Sequence, residues 1–173
     1  NPPTPDMLFG SAVHELVEAK IKGVPPMVAF GPDVGKMSNA WKAFKAEAEA
    51  ANKIALTMEE SVQAQAMVES VLAHPGFKLL MEDQEKLIEP TVIWSNGETG
   101  LICRARPDFY SPLAEACIDL KTCADASKPE YTIFKWGYHF QAAFYSNGLV
   151  ANDRPCDDFV FVFVEKEPPY IVN

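Results

Sequence analysis

The sequence predicts an α/β fold, a mixed central β-sheet flanked by helices with a helical region at the N-terminal end, and three observations predict it. Residues up to about 80 carry helix-favouring composition and caps. Strand-like patterning begins only near Lys86 and forms a hairpin and a third strand. A helical stretch then separates that third strand from a last, wholly apolar one.

Taken in order, residues Asn1 to Pro5 hold three prolines and are expected to form an extended lead-in. Phe9 to Ala19 reads as a helix that carries His14 one turn after Gly10, with Glu15 and Glu18 as solvated charges. Gly23 to Gly35, with Pro25, Pro26 and Pro32, is an exposed loop. Ser38 to Ala55 favours helix, and Thr57-Met58-Glu59-Glu60 has the capping-box spacing for another helix running to about Ala73, stopped by His74-Pro75-Gly76. Trp41, Phe44, Met67, Val68, Val71 and Leu72 recur at helical spacing and belong to packing between these helices.

Beyond them, Lys86 to Trp94 and Gly100 to Tyr110 read as the two strands of a hairpin turned at Ser95-Asn96-Gly97-Glu98. Glu115 to Lys121 is a third strand, Ala124 to Glu130 a polar loop, and Tyr131 to Leu149 a helix. Phe159 to Val164 is an apolar strand buried on both faces.

A length of 173 residues fits one domain, with 1–80 mainly helical and 81–173 holding the sheet and its helix. The start at Asn1 rather than Met, and the end at Asn173 just after an apolar strand and a Pro-Pro step, fit a fragment of a longer chain. No apolar run approaches a membrane span and no signal segment is present, so the expected compartment is cytoplasmic, with no membrane partner. Cys103, Cys117, Cys123 and Cys156 contain no C-x-x-C pair, which disfavours a zinc ribbon and leaves reduced thiols as the expectation. The net charge of −9 opposes a protein that coats nucleic acid, because affinity for phosphates comes mainly from Lys and Arg. A DNA-directed function therefore needs a local basic track, bound cations, or an oligomer that concentrates basic surface.

Arg106-Pro107-Asp108 closes the second strand and Asp119-Leu120-Lys121 the third, so two carboxylates and an amine converge on neighbouring strands. Carboxylate oxygens are natural ligands for Mg²⁺ or Mn²⁺, and a lysine beside them can orient or deprotonate an attacking water. Asp119 and Lys121 share one face of the sheet while Leu120 points to the opposite layer. Burying two acids and an amine without a cation is costly, which argues for a metal or a wet cleft. Strings as short as P-D and D-x-K also arise as surface ion pairs after turns.

Four segments stand in one order and span most of the chain: Gly10-Ser11-Ala12-Val13-His14, Arg106-Pro107-Asp108, Asp119-Leu120-Lys121 and Gln141-Ala142-Ala143-Phe144-Tyr145. Together they resemble the PD-(D/E)XK nuclease superfamily, and within it the RecB-like branch represented by the RecE (exonuclease VIII) nuclease domain of phage recombination systems. The resemblance implies a restriction-endonuclease-like core. It implies that His14, Asp108, Asp119 and the Leu120 backbone carbonyl bind metal, that Lys121 is the catalytic lysine, and that Gln141 and Tyr145 position DNA or that lysine. Independently of the family, an i, i+4 spacing sets Gln141 and Tyr145 on one helix face.

Glu89, which opens the first strand ahead of the hairpin, is a further candidate metal ligand, or else a solvated charge at a strand end. Arg104 and Arg106 are candidate phosphate contacts, and Lys128, Lys135 and Trp136 candidate contacts to the strand being cut. The implied cofactors are Mg²⁺ or Mn²⁺, as two ions. The cysteines do not fit the layout of the iron–sulfur variant of this branch, so no cluster is expected.

The resemblance further implies a bacterial or phage-encoded exodeoxyribonuclease acting 5′ to 3′ on double-stranded DNA ends in recombination or repair. A homo-oligomeric ring and a single-strand annealing protein as partner belong to the same expectation. A nicking or structure-selective endonuclease on the same core, and a catalytically silent DNA-end binding module, are the alternatives.

Overall fold

The computed structural model describes residues 2–173. Its N-terminal half is helical. Helix α1 spans Pro5–Lys22: Thr4 caps it by accepting from the Met7 N–H at 3.3 Å, and Pro5 sits where a helix needs no N–H. The proline lead-in is therefore shorter than its composition suggests, because the last proline starts the helix, while Asn1 lies outside the described residues. The loop expected from Gly23 to Gly35 contains β1 (Val28–Phe30), which pairs in parallel with β2 (Ile54–Leu56). Helix α2 (Asn39–Ala50) consequently ends before Ile54, since the residues expected as its last turn are taken by that small sheet.

Helix α3 (Met58–Ala73) has the full capping box: the Glu60 N–H donates to Thr57 Oγ1 at 3.1 Å and the Thr57 N–H to Glu60 Oε2 at 2.9 Å. His74 then ends α3 and caps α4 (Pro75–Met81) by accepting from the Phe77 N–H at 3.4 Å, so the His-Pro-Gly stop is also a restart.

Each expected hairpin strand is broken by a proline. Glu89 at φ 51° and Pro90 divide the first into β3 (Leu87–Ile88) and β4 (Val92–Ser95). Pro107 lies in the break between β5 (Ile102–Ala105) and β6 (Phe109–Ser111). The pieces separate in space: β4 and β5 form a two-stranded hairpin, while β3 and β6 join β7 (Ala116–Cys123) and β8 (Asp158–Glu165) in a sheet ordered β3-β6-β7-β8. In that sheet β3, β6 and β7 are antiparallel neighbours and β7–β8 is parallel, so the sheet is mixed. The long connection that a parallel pair requires is α5 (Pro129–Trp136) and α6 (Tyr138–Val150). They are two helices rather than the single one expected, because Gly137 takes a left-handed conformation at φ 69°.

The sheet lies between helical layers. On one face Phe109, Ile118, Leu120, Val162 and Val164 pack against α1, α3 and α4, through Val13, Val17, Met67, Val71 and Phe77, in the largest apolar cluster of the fold. The other face carries Cys117, Asp119, Lys121 and Cys123 by strand alternation and is covered by α5, α6 and the β4–β5 hairpin in two smaller clusters. Gly148 seats the hairpin on α6, since a Cβ there would stand 2.6 Å from the Trp94 ring. Among the described residues no helix is long and apolar enough to cross a membrane.

Candidate active site

Strand β6 stops pairing with β7 at Phe109, opposite Ile118, while β7 runs on to Cys123. Past that point one edge of β7 has no strand beside it, and Asp108 fills the gap: its Oδ2 accepts from the Leu120 N–H at 2.8 Å. In an extended strand a residue's N–H and C=O point to the same side, so the Leu120 carbonyl faces the same gap. Asp108 thus stands just before β6 rather than at the end of a continuous strand, and Pro107 puts it there.

His14 reaches Asp108 from α1, with Nδ1 3.2 Å from Oδ2. Its helix comes close because Gly10, one turn earlier, lies against β7: a Cβ there would meet Thr122 Oγ1 at 3.3 Å. From the other face of the sheet, Asp119 is only 2% exposed. The Lys121 ammonium stands against its Oδ2 and the Gln141 amide donates to its Oδ1 at 2.8 Å. Lys121 also lies 4.8 Å from the centre of the Tyr138 ring. Tyr145, a turn beyond Gln141 on the same helix face, is half-buried beside it. His14, Asp108, Asp119, Lys121, Gln141 and Tyr145 are therefore gathered at one gap in the sheet, as two groups that approach from its opposite faces.

Titration behaviour follows from that crowding. Burial disfavours the imidazolium of His14, but the hydrogen bond and charge of Asp108 outweigh it and hold its pKa above the ordinary value. Burial opposes ionisation of Asp108 too, yet His14, the Leu120 N–H and Lys121 keep it below the usual carboxylate range. Asp119 is raised, by burial first and then by the charge of Asp108, with Lys121 and His14 offsetting only part.

A second cluster adjoins it. Glu89 pairs with Arg106 at 3.1 Å and with Lys22 at 3.4 Å, and Lys22 also reaches Glu18 at 3.3 Å. Glu89 sits in the break between β3 and β4 rather than opening a strand. Glu18, expected to be solvated, is 5% exposed, and its pKa is raised to about 7 by burial and by a hydrogen bond with Glu89. It lies one turn after His14 on α1, and the i, i+4 spacing from His14 was the one signal of its place. Glu15 accepts from the Met27 N–H at 2.8 Å and serves the loop after α1.

Arg106 is thus tied to Glu89, while Arg104 is exposed on β5. Lys128, Lys135 and Trp136 are exposed at the start and end of α5. Among the described residues no three His, Cys, Asp or Glu side chains stand close enough to enclose a metal by themselves. The donor chemistry nonetheless suits a hard divalent cation. Asp119 Oδ2 is a buried oxygen beside the Lys121 ammonium, and the Asp108 carboxylate and Leu120 carbonyl border the same gap, so hard oxygen donors converge there.

A mixed sheet with two acids and a lysine at the point where one strand stops is the arrangement of the PD-(D/E)XK nuclease fold. Residues 2–172 match the family described as PDDEXK-like domain of unknown function (DUF3799), and the chain belongs to that family. A crystal structure from Eubacterium rectale, of a protein provisionally described as an exonuclease, superposes with a TM-score of 0.63 at 13% identity. The superposition covers 100% of this chain and 59% of that one, so the two share a fold over part of the longer protein. No curated protein matches the sequence.

Proposed function

We propose that the domain is a metal-dependent deoxyribonuclease that hydrolyses phosphodiester bonds at duplex DNA ends, 5′ to 3′, with Mg²⁺ or Mn²⁺. The observation that carries this reading is the Asp119–Lys121–Gln141 network facing the gap that Asp108 and His14 border. Asp108, Asp119, His14 and the Leu120 carbonyl would hold one cation, and Glu89 is the carboxylate offered to a second. Bound divalent cations polarise the phosphate and offset the charge that builds on it in the transition state. Lys121 orients the attacking water and adds a positive charge beside the phosphate. Gln141 fixes the Asp119 carboxylate, Tyr145 steadies Gln141, and Tyr138 confines the lysine. His14 sets the position of Asp108.

End preference rests on the resemblance to RecB-like exonucleases and on the exonuclease description of the E. rectale protein. A ring of copies and an annealing partner for the product strand belong to the same proposal. The test is hydrolysis of end-labelled linear duplex compared with a covalently closed circle, in Mg²⁺, Mn²⁺ and EDTA. Release of nucleotides from linear DNA alone, with loss in EDTA, is the expected outcome. Undiminished cutting of the circle would replace the exonuclease by an endonuclease, and no cutting under any divalent cation would reject the nuclease.

A further inference from the structure

Helices α5 and α6 display aromatic rings to solvent immediately beside the gap. Tyr131, Phe134, Trp136, Phe140 and Phe144 are all exposed, Phe134 and Phe140 at 72% each, and α5 buries none of its residues. Soluble domains rarely leave so many large rings outside on consecutive turns without a ligand for them. The face is continuous with the site, because α6 turns Tyr138 and Gln141 toward Lys121 and Asp119 while Phe140 and Phe144 lie on the neighbouring stripe. Lys135 adds charge among the rings, with its ammonium 5.2 Å from the Trp136 ring centre and 5.7 Å from that of Tyr131.

We infer that this face is a stacking platform for unpaired bases of the strand being cut, so that the substrate at the site is a frayed or single-stranded end rather than an intact duplex. Rings and a lysine in one patch match the two chemistries of a single strand, base faces and phosphates. In a duplex the base faces are covered by their neighbours, and rings reach them only where the helix has opened. A protein partner would cover the rings but would bury Lys135, which has no ion pair among the described residues. The platform also resolves the conflict between a net charge of −9 and a DNA substrate, since stacking supplies affinity that whole-chain charge does not. This inference rests on the DNA-nuclease reading of the adjoining site, and its test is separable from the test of that reading.

The experiment is fluorescence anisotropy of fluorescein-labelled oligothymidylate, and of an abasic oligonucleotide of equal length, titrated with the full chain in EDTA so that nothing is hydrolysed. The base-bearing strand should bind at least about tenfold more tightly than the abasic one. Trp136→Ala and Phe140→Ala should each weaken the base-bearing strand roughly tenfold without changing the abasic one, and Trp136→Phe should restore most of the loss. Equal affinity for the two oligonucleotides, or variants that bind like the wild type, would overturn the platform. So would variants that dissociate a multimer in sedimentation velocity while binding the strand normally, which would make the face a contact between copies. A wild type that cleaves DNA in Mg²⁺ yet fails these binding criteria sinks the platform alone; one that meets them but never cleaves sinks the nuclease alone.

Discussion

The two faces of strand β7 carry opposite chemistries. Ile118 and Leu120 point into a continuous apolar core with α1, α3 and α4, whereas Asp119 and Lys121, one residue out of phase, point toward α5 and α6 across smaller clusters. A single eight-residue strand thus anchors the fold with one set of side chains and presents the acid and the lysine with the other. Rigid packing on the first face holds the polar groups of the second at fixed separation. Helix α1 crosses this division: its apolar stripe belongs to the core, and its rim lends His14 and Glu18 to the site.

Substitutions that separate the faces test this division. Leu120→Ala removes a core side chain that is 1% exposed and should cost about 2–5 kcal/mol of unfolding free energy in urea, leaving the carbonyl at the gap in place. Gln141→Ala on the other face should leave the unfolding midpoint nearly unchanged and lower the cleavage rate about 10–100-fold, because Asp119 loses the donor that orients it.

Glu18 sharpens the boundary through pH. Its folded pKa, about 7, lies above the ordinary carboxylate value, so the folded state binds the proton more tightly. The corresponding stability is complete below the unfolded pKa and is lost as pH rises through about 7. Thermal unfolding in EDTA should therefore show a decline between pH 5 and 8 that Glu18→Gln flattens. Smallest is Thr57→Ala, which removes the α3 cap and should cost about 1 kcal/mol with no change in cleavage rate per folded molecule.

Local signals were legible in the sequence and tertiary ones were not. The capping box at Thr57 and Glu60 reads correctly because both partners lie within one turn. The shared face of Asp119 and Lys121 follows from the two-residue period of a strand. The splitting of both hairpin strands was signalled by Pro90 and Pro107, but a proline does not say that the pieces will join different sheets. The division of the last helix at Gly137 depends on a backbone conformation that glycine permits without requiring. The burial of Glu18 was hidden because it depends on Glu89, Lys22 and the angle of α1 against the sheet. Trp136 was singled out in the sequence as a candidate contact, but the exposure of Tyr131, Phe134, Phe140 and Phe144 beside it appears only in the packing.

The most direct test of the central claim is cleavage of end-labelled linear duplex by the wild type, Asp119→Asn and Lys121→Ala, with thermal unfolding measured on the same samples. The account predicts release of nucleotides by the wild type with Mg²⁺ or Mn²⁺ and at least about a thousandfold less by either variant, with both variants still folded. Folded variants that cleave at the wild-type rate, or a wild type inert under every divalent cation, would contradict it.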